Sequence, residues 1–97
     1  MDITLFLGRQ FVADENIADK LVNKMLGPQI QSLRSRLKNE LNIDMPIVNV
    51  KDNMNLLDTE IALQINENIV WKESFAEIEY DKIINSIELS LERTQLK

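Results

Sequence analysis

The feature that most constrains this chain is a leucine stripe that stops at an asparagine and is followed, across a proline, by a β-branched run. Ile30, Leu33, Leu37 and Leu41 recur at helical spacing on one side, while Gln31, Ser35, Lys38 and Asn39 fall on the other. Asn42 follows the last leucine, where a left-handed residue commonly ends a helix and asparagine is the usual substitute for glycine. Pro46 prevents a return to helix, and Ile47-Val48-Asn49-Val50-Lys51 reads as a strand. Asp52 and Asn53 supply short polar side chains suited to a turn or bulge at its end. A helix that leads directly into a strand needs both a sheet to pair with and a core to cover.

The rest of the chain supplies both. Ile3, Leu5 and Leu7 alternate with Asp2, Thr4 and Phe6 and predict a short strand, stopped by Gly8. Asp14 is suited to cap a helix carrying Ile17, Leu21 and Met25, which should kink or divide near Gly27-Pro28. Ile61, Leu63 and Ile65 alternate with polar or small neighbours, and Asn66-Glu67-Asn68 separates them from Ile69-Val70-Trp71, the pattern of a β-hairpin. Two readings compete for residues 72–79. Ser74-Phe75-Ala76-Glu77 matches a capping box, yet the strand could run on through Phe75 or Ile78. Ile83, Ile87 and Leu91 then give a final helix over about 80–96. The expected fold is α+β: one domain over 1–97, with a small mixed sheet of about four strands and helices on one face. Its order is strand, helix or helix pair, three strands, helix.

Composition narrows the chemistry. The 97 residues match one domain, and 44% apolar with 28% charged residues is an ordinary globular balance. With no cysteine and no histidine, disulfides, thiolate metal sites and the commonest general base are unavailable. The serines have no histidine to activate them, and two glycines cannot build a phosphate loop. Glu73, Glu77, Glu79 and Asp81 lack a glycine-turned ligand loop and suit a helix N-terminus. The expectation is a non-enzyme with no cofactor and no metal. A net charge of −5 and five aromatic residues argue against nucleic acid and anionic lipid as partners. No stretch approaches the roughly 20 apolar residues of a spanning helix, and the N-terminus lacks a signal-peptide pattern, so a cytoplasmic protein is expected.

Arg34-Ser35-Arg36-Leu37-Lys38-Asn39-Glu40-Leu41-Asn42-Ile43, with Pro46 to Leu56 and Thr59-Glu60-Ile61 after it, resembles the export-gate family called FHIPEP. In that family an "IR..L..ELG" helix leads into "P.V.IRDN..L..NEY.I.I". The likeness runs without a gap from about Ile30 to Ile65, and Leu5-Phe6-Leu7-Gly8 is similar to the "LELGYGL" opening of the family's cytoplasmic part. Asn42 replaces the family's glycine, and Thr59-Glu60-Ile61 its Asn-Glu-Tyr. Family members also carry a membrane domain ahead of this region and further cytoplasmic subdomains after it, and these 97 residues resemble neither. The resemblance implies the fold of the first cytoplasmic subdomain and a habit of contacting components of flagellar or type III secretion.

Two places are candidates for partner contact. Lys51-Asp52-Asn53 is the most family-like, although its simplest role is to cap the turn into Met54-Leu57. Arg34, Arg36 and Lys38 form the densest basic cluster and suit an acidic partner, while Arg36 and Glu40 also stand one turn apart as an ordinary solvent-facing pair. Trp71 and Tyr80 have the chemistry of interface anchors, but Trp71 is expected to pack beneath a helix. The expected partner is another protein, with export-apparatus components implied by the resemblance. The chain itself is expected to be a monomer or weak homodimer; the alternative is a small structural protein that self-associates through a sheet edge or the final helix, or an adaptor outside any secretion system.

Overall fold

The structure, a computed structural model, describes residues 2–53 and 55–93. Strand β1 (Ile3–Leu7) leads into two single-turn helices, α1 (Arg9–Val12) and α2 (Glu15–Ala18). A π-helical segment, Asp19–Leu26, joins α2 to α3 (Gly27–Leu41). Strands β2 (Val48–Asp52), β3 (Glu60–Ile65) and β4 (Asn68–Ser74) follow, and α4 (Tyr80–Arg93) closes the fold. The sheet order is β2-β1-β3-β4, with β1 parallel to β2 and antiparallel to β3. The parallel pair needs a long crossover, and the helices from α1 to α3 provide it.

Register explains which side chains are buried. Leu5 lies opposite Leu63, Leu7 opposite Ile61 and Ile3 opposite Ile65, so these six residues share one face. Beneath the helices they meet Phe11, Leu21, Leu26, Leu33, Ile83 and Ile87 in one apolar cluster. Each fully buried Leu or Ile contributes roughly 1.5–3 kcal/mol relative to exposure. Thr4, Phe6, Ala62 and Gln64 occupy the opposite face of the sheet. The expected α+β architecture, with four strands in mixed pairing, is the observed one.

Local chemistry sets the element ends. The Asp14 carboxylate accepts from the Asn16 N–H at 2.9 Å and caps α2. Asn42 adopts the left-handed conformation (φ 53°), where its N–H donates to the Lys38 carbonyl and that of Ile43 to Leu37. The hairpin tip uses Asn66 (φ 56°), tied to the start of β1 by two bonds with Asp2. At Leu26/Gly27 the winding changes without a break in the chain of helical turns. The Gly27 N–H donates to the Val22 carbonyl, five residues back, and Pro28 stands in the first turn of α3.

One open reading is settled, and three expectations are refined. The strand reading wins at 72–74: β4 runs to Ser74, whose hydroxyl pairs with that of Thr59 at 2.6 Å, so no capping box forms. Phe75 is buried just beyond the strand, and the final helix begins at Tyr80. Leu41 is 62% exposed, because the stripe rotates off the core in the last turn of α3; Leu37 is half-buried and only Leu33 is fully enclosed. Arg36 pairs with Glu88 and Glu92 of α4 rather than with Glu40. Trp71 packs against the cluster but is half-buried, with its ring 6.4 Å from that of Phe75. Met54 and the expected helix end beyond Arg93 lie outside the described residues.

Candidate protein-binding surfaces

Lys51, Asp52 and Asn53 stand where β2 ends, beside the corner between β1 and α1. Asn53 is built into that corner: its N–H reaches the Leu7 carbonyl at 3.4 Å, and its side-chain oxygen accepts from the Asn55 N–H at 2.9 Å. The loop beyond it returns to Gly8, whose N–H donates to the Glu60 carbonyl at 2.7 Å. A Cβ on Gly8 would lie 2.5 Å from the carbonyl oxygens of Asp58 and Leu57. The motif "LFLG" at the start and "KDN" in the middle are therefore two sides of one tight backbone crossing. Glu60 reinforces it by accepting from the Leu57 N–H at 2.8 Å. Lys51 and Asp52 remain exposed, and Asp52 lines a cleft of about 380 Å³ with Arg9, Leu56 and Asp58.

The basic residues of α3 divide into three separate contacts. Arg34 is half-buried and donates to the carbonyls of Pro46 (3.1 Å) and Met45 (3.4 Å), latching the α3–β2 connection. Arg36 holds α4 through Glu88 and Glu92. Lys38 pairs with Asp44 at 3.0 Å across the end of the helix. Arg34 and Lys38 line one shallow depression with Asp44 and Met45, whereas Arg36 faces α4.

Sequence reasoning pointed to a sheet edge or the final helix without naming residues there, and the structure shows two such surfaces. One is a groove between β4 and α4, about 490 Å³, lined by Val70, Trp71, Leu89, Glu73 and Arg93 among others. Val70 and Leu89 are each 49% exposed, and Val70 is the extra residue of a bulge opposite Leu63/Gln64. The outer position of Leu89 on α4 was visible in its spacing from Ile83 and Ile87, but the bulge carries no sequence signature. The second surface lies beside β2, the other sheet edge, where Ile47 is 77% exposed.

The Asp19 carboxyl is held below the usual carboxylate range, chiefly by a hydrogen bond from Asn23 and then by Lys24. Among the described residues no cluster of three or more Asp, Glu, His or Cys is placed to hold a metal, and no helix is long and apolar enough to cross a membrane.

The architecture defines the class as a small α+β domain with a four-stranded mixed sheet. No family profile and no curated protein sequence matches the chain. Solved structures do. The structure of the Chlamydia pneumoniae CdsV protein superposes with a TM-score of 0.59 at 15% identity, covering 90% of this chain and 28% of that one. A chain from the C. pneumoniae CdsV and CdsO complex gives 0.54 at 15% identity, covering 77% and 23%. The C-terminal domain of InvA gives 0.47 at 23% identity over 76% and 20%. CdsV is an FHIPEP-family export-gate protein of type III secretion. At these identities the likeness to CdsV establishes a shared fold, over about a quarter of the longer chain.

Proposed function

We propose that this chain is a non-catalytic protein-binding module of the export-gate type, serving in the cytoplasm as an adaptor or component of flagellar or type III protein export. One observation carries the reading: the segment that resembles the export-gate motif, about 30–65, lies inside the region whose fold matches CdsV over 90% of this chain. Motif resemblance and fold likeness point to the same family. That a CdsV structure is also known in complex with CdsO supports a protein as the natural partner. Lys51 and Asp52, exposed beside the Gly8 crossing, are the residues we assign to partner contact there.

Crosslinking and affinity capture of the tagged chain from its native cell tests the assignment. The expected result is enrichment of export-apparatus proteins, reduced by the charge reversal Lys51→Glu with Asp52→Lys at unchanged melting temperature. Capture that enriches no such protein removes the pathway. A second reading, self-association, is favoured by the apolar exposure of Ile69, Val70 and Leu89 around the β4 edge. It predicts a monomer at low concentration and a dimer at high concentration in sedimentation, and a strictly monomeric species eliminates it.

A further inference from the structure

We propose that the free edge of β2 takes up an extended strand from a protein partner, with alternating apolar residues and one acidic residue. The inference rests on the protein-binding reading and names the surface and partner chemistry it uses. Among the described residues β2 pairs with β1 on one side only, so its outer backbone N–H and C=O groups have no sheet partner among them. Unlike β4, it carries no bulge: Val48 to Asp52 run in uninterrupted register with Ile3 to Leu7. A bulge twists an edge away from pairing, and its absence leaves β2 the better template.

Beside this edge lies a groove of about 320 Å³, bounded by Val22, Leu26 and Ile30 of the helices and Val48 and Val50 of the strand. An added strand would project alternate side chains toward the helix layer, where this groove offers an aliphatic floor. The remaining side chains would lie alongside Asn49 and Lys51 on the open face of the sheet. Backbone groups therefore specify an extended occupant, and the groove specifies apolar residues at every second position. Ile47, 77% exposed at the start of the strand, extends the same apolar rim.

Charge selects the third property. The chain as a whole is acidic, yet among the described residues lining this groove Arg34 is the only charged one. Its described contacts are to two carbonyls and the Gln31 amide oxygen, at 3.1–3.5 Å, with no carboxylate among them. An acidic side chain on the incoming strand would give Arg34 a charge-assisted partner stronger than any of these.

The test uses a phage-displayed library of random nine-residue peptides, selected on the full chain and checked by amide NMR. Selected peptides should be enriched in alternate apolar residues with a nearby Asp or Glu, and should shift and protect β2 amides from exchange. Replacing the peptide's acid by lysine should weaken binding roughly tenfold, and Arg34→Gln should abolish that preference. Val50→Lys, which fills the groove from the exposed edge, should remove binding at retained helical and sheet circular dichroism. Peptides that map to β4 and α4, show no alternation, bind independently of Arg34 or are not enriched at all overturn the proposal. So does a β2 edge already protected in a concentration-dependent dimer, which would identify a second copy as the occupant. Peptide binding at β2 without any captured export protein would keep this inference and sink the pathway assignment, whereas the reverse pattern would keep the pathway and sink the edge.

Discussion

The chain has two glycines, Gly8 and Gly27, and the regions around them hold the fold in opposite ways. At Gly8 the backbone of β1 crosses that of the loop before β3, and three carbonyl oxygens lie within 2.7 Å of where a side chain would begin. At Gly27 the π-helical segment changes into α3 in the open, and the nearest atom to an added Cβ is the Val22 carbonyl oxygen at 3.4 Å. Both glycines have negative φ, so neither is required for a left-handed turn. Gly8 is there because nothing larger fits, whereas Gly27 sits at a position an ordinary helical residue can occupy. The corner is a rigid crossing on which sheet register depends; the joint is a tolerant splice between two windings.

Gly8→Ala is the sharpest way to break this comparison and should have the largest effect. The clashing atoms are backbone oxygens, which cannot rotate away as a flexible side chain would, so relief requires moving β1 or the loop. The expected cost is about 3 kcal/mol, which lowers the melting temperature by roughly 10–20 °C. A melting curve within a degree or two of wild type would show that the corner yields as easily as the joint. Asn53→Ala tests the same corner from the other side. It removes the acceptor for the Asn55 N–H but leaves the backbone bonds of Asn53 in place, and should cost about 1 kcal/mol. Chemical denaturation read at fixed m-value would resolve that difference.

The corner also shows what was legible in the sequence. Alternation at Ile3, Leu5 and Leu7, the stripe through Leu33 and Leu37, the left-handed Asn42 and the hairpin turn at Asn66 are local signals, and each became the expected element. Asn53 was legible as a turn residue because the interaction spans two positions. That Gly8 is the other half of that corner was not legible, since the contact joins residues about fifty positions apart. The same applies to Arg36. Its helical neighbour Glu40 was the obvious partner, yet α4 brings Glu88 and Glu92 to it, and tertiary packing decides between them. Leu41 was misplaced for a further reason: each four-residue step turns about 400°, so the stripe has rotated off the core by the last turn of α3. Bulges and edge grooves depend on how strands are paired, so Val70 and the surface beside β2 had to await the sheet.

On the joint side, Gly27→Ala should stabilise. Glycine in a helical position is less favourable than alanine by about 0.5–1 kcal/mol, and the space at 3.4 Å is tight but bordered by a single oxygen. A gain in melting temperature of a few degrees is expected, with unchanged circular dichroism. A loss would mean that the π-to-α change needs glycine, and the two regions would then be alike in kind.

The smallest effect concerns the winding of the joint itself. Asp19 accepts from the Asn23 amide at 2.9 Å and stands 3.4 Å from the Lys24 ammonium, five residues on. In an α-helix five residues turn about 500°, which would leave Lys24 roughly 140° from Asp19 around the axis. The wider π turn brings that spacing onto one face, so the ion pair reports the winding. Its carboxyl is held low, first by Asn23 and then by Lys24. A carboxyl whose folded value lies below its unfolded one contributes stability above the unfolded value, about pH 4, and loses it as pH falls through the lowered folded value. Asp19→Asn should therefore be slightly less stable than wild type at pH 7, with the gap closing below pH 4. Since both side chains are largely exposed, molar salt should remove the Lys24 share and leave the Asn23 share. The discriminating measurement is the Asp19 carboxyl shift by NMR titration in wild type and in Lys24→Gln. A titration midpoint unmoved by Lys24→Gln at low salt would mean that the π register does not hold the pair together in solution, and that the joint is wound as an α-helix throughout.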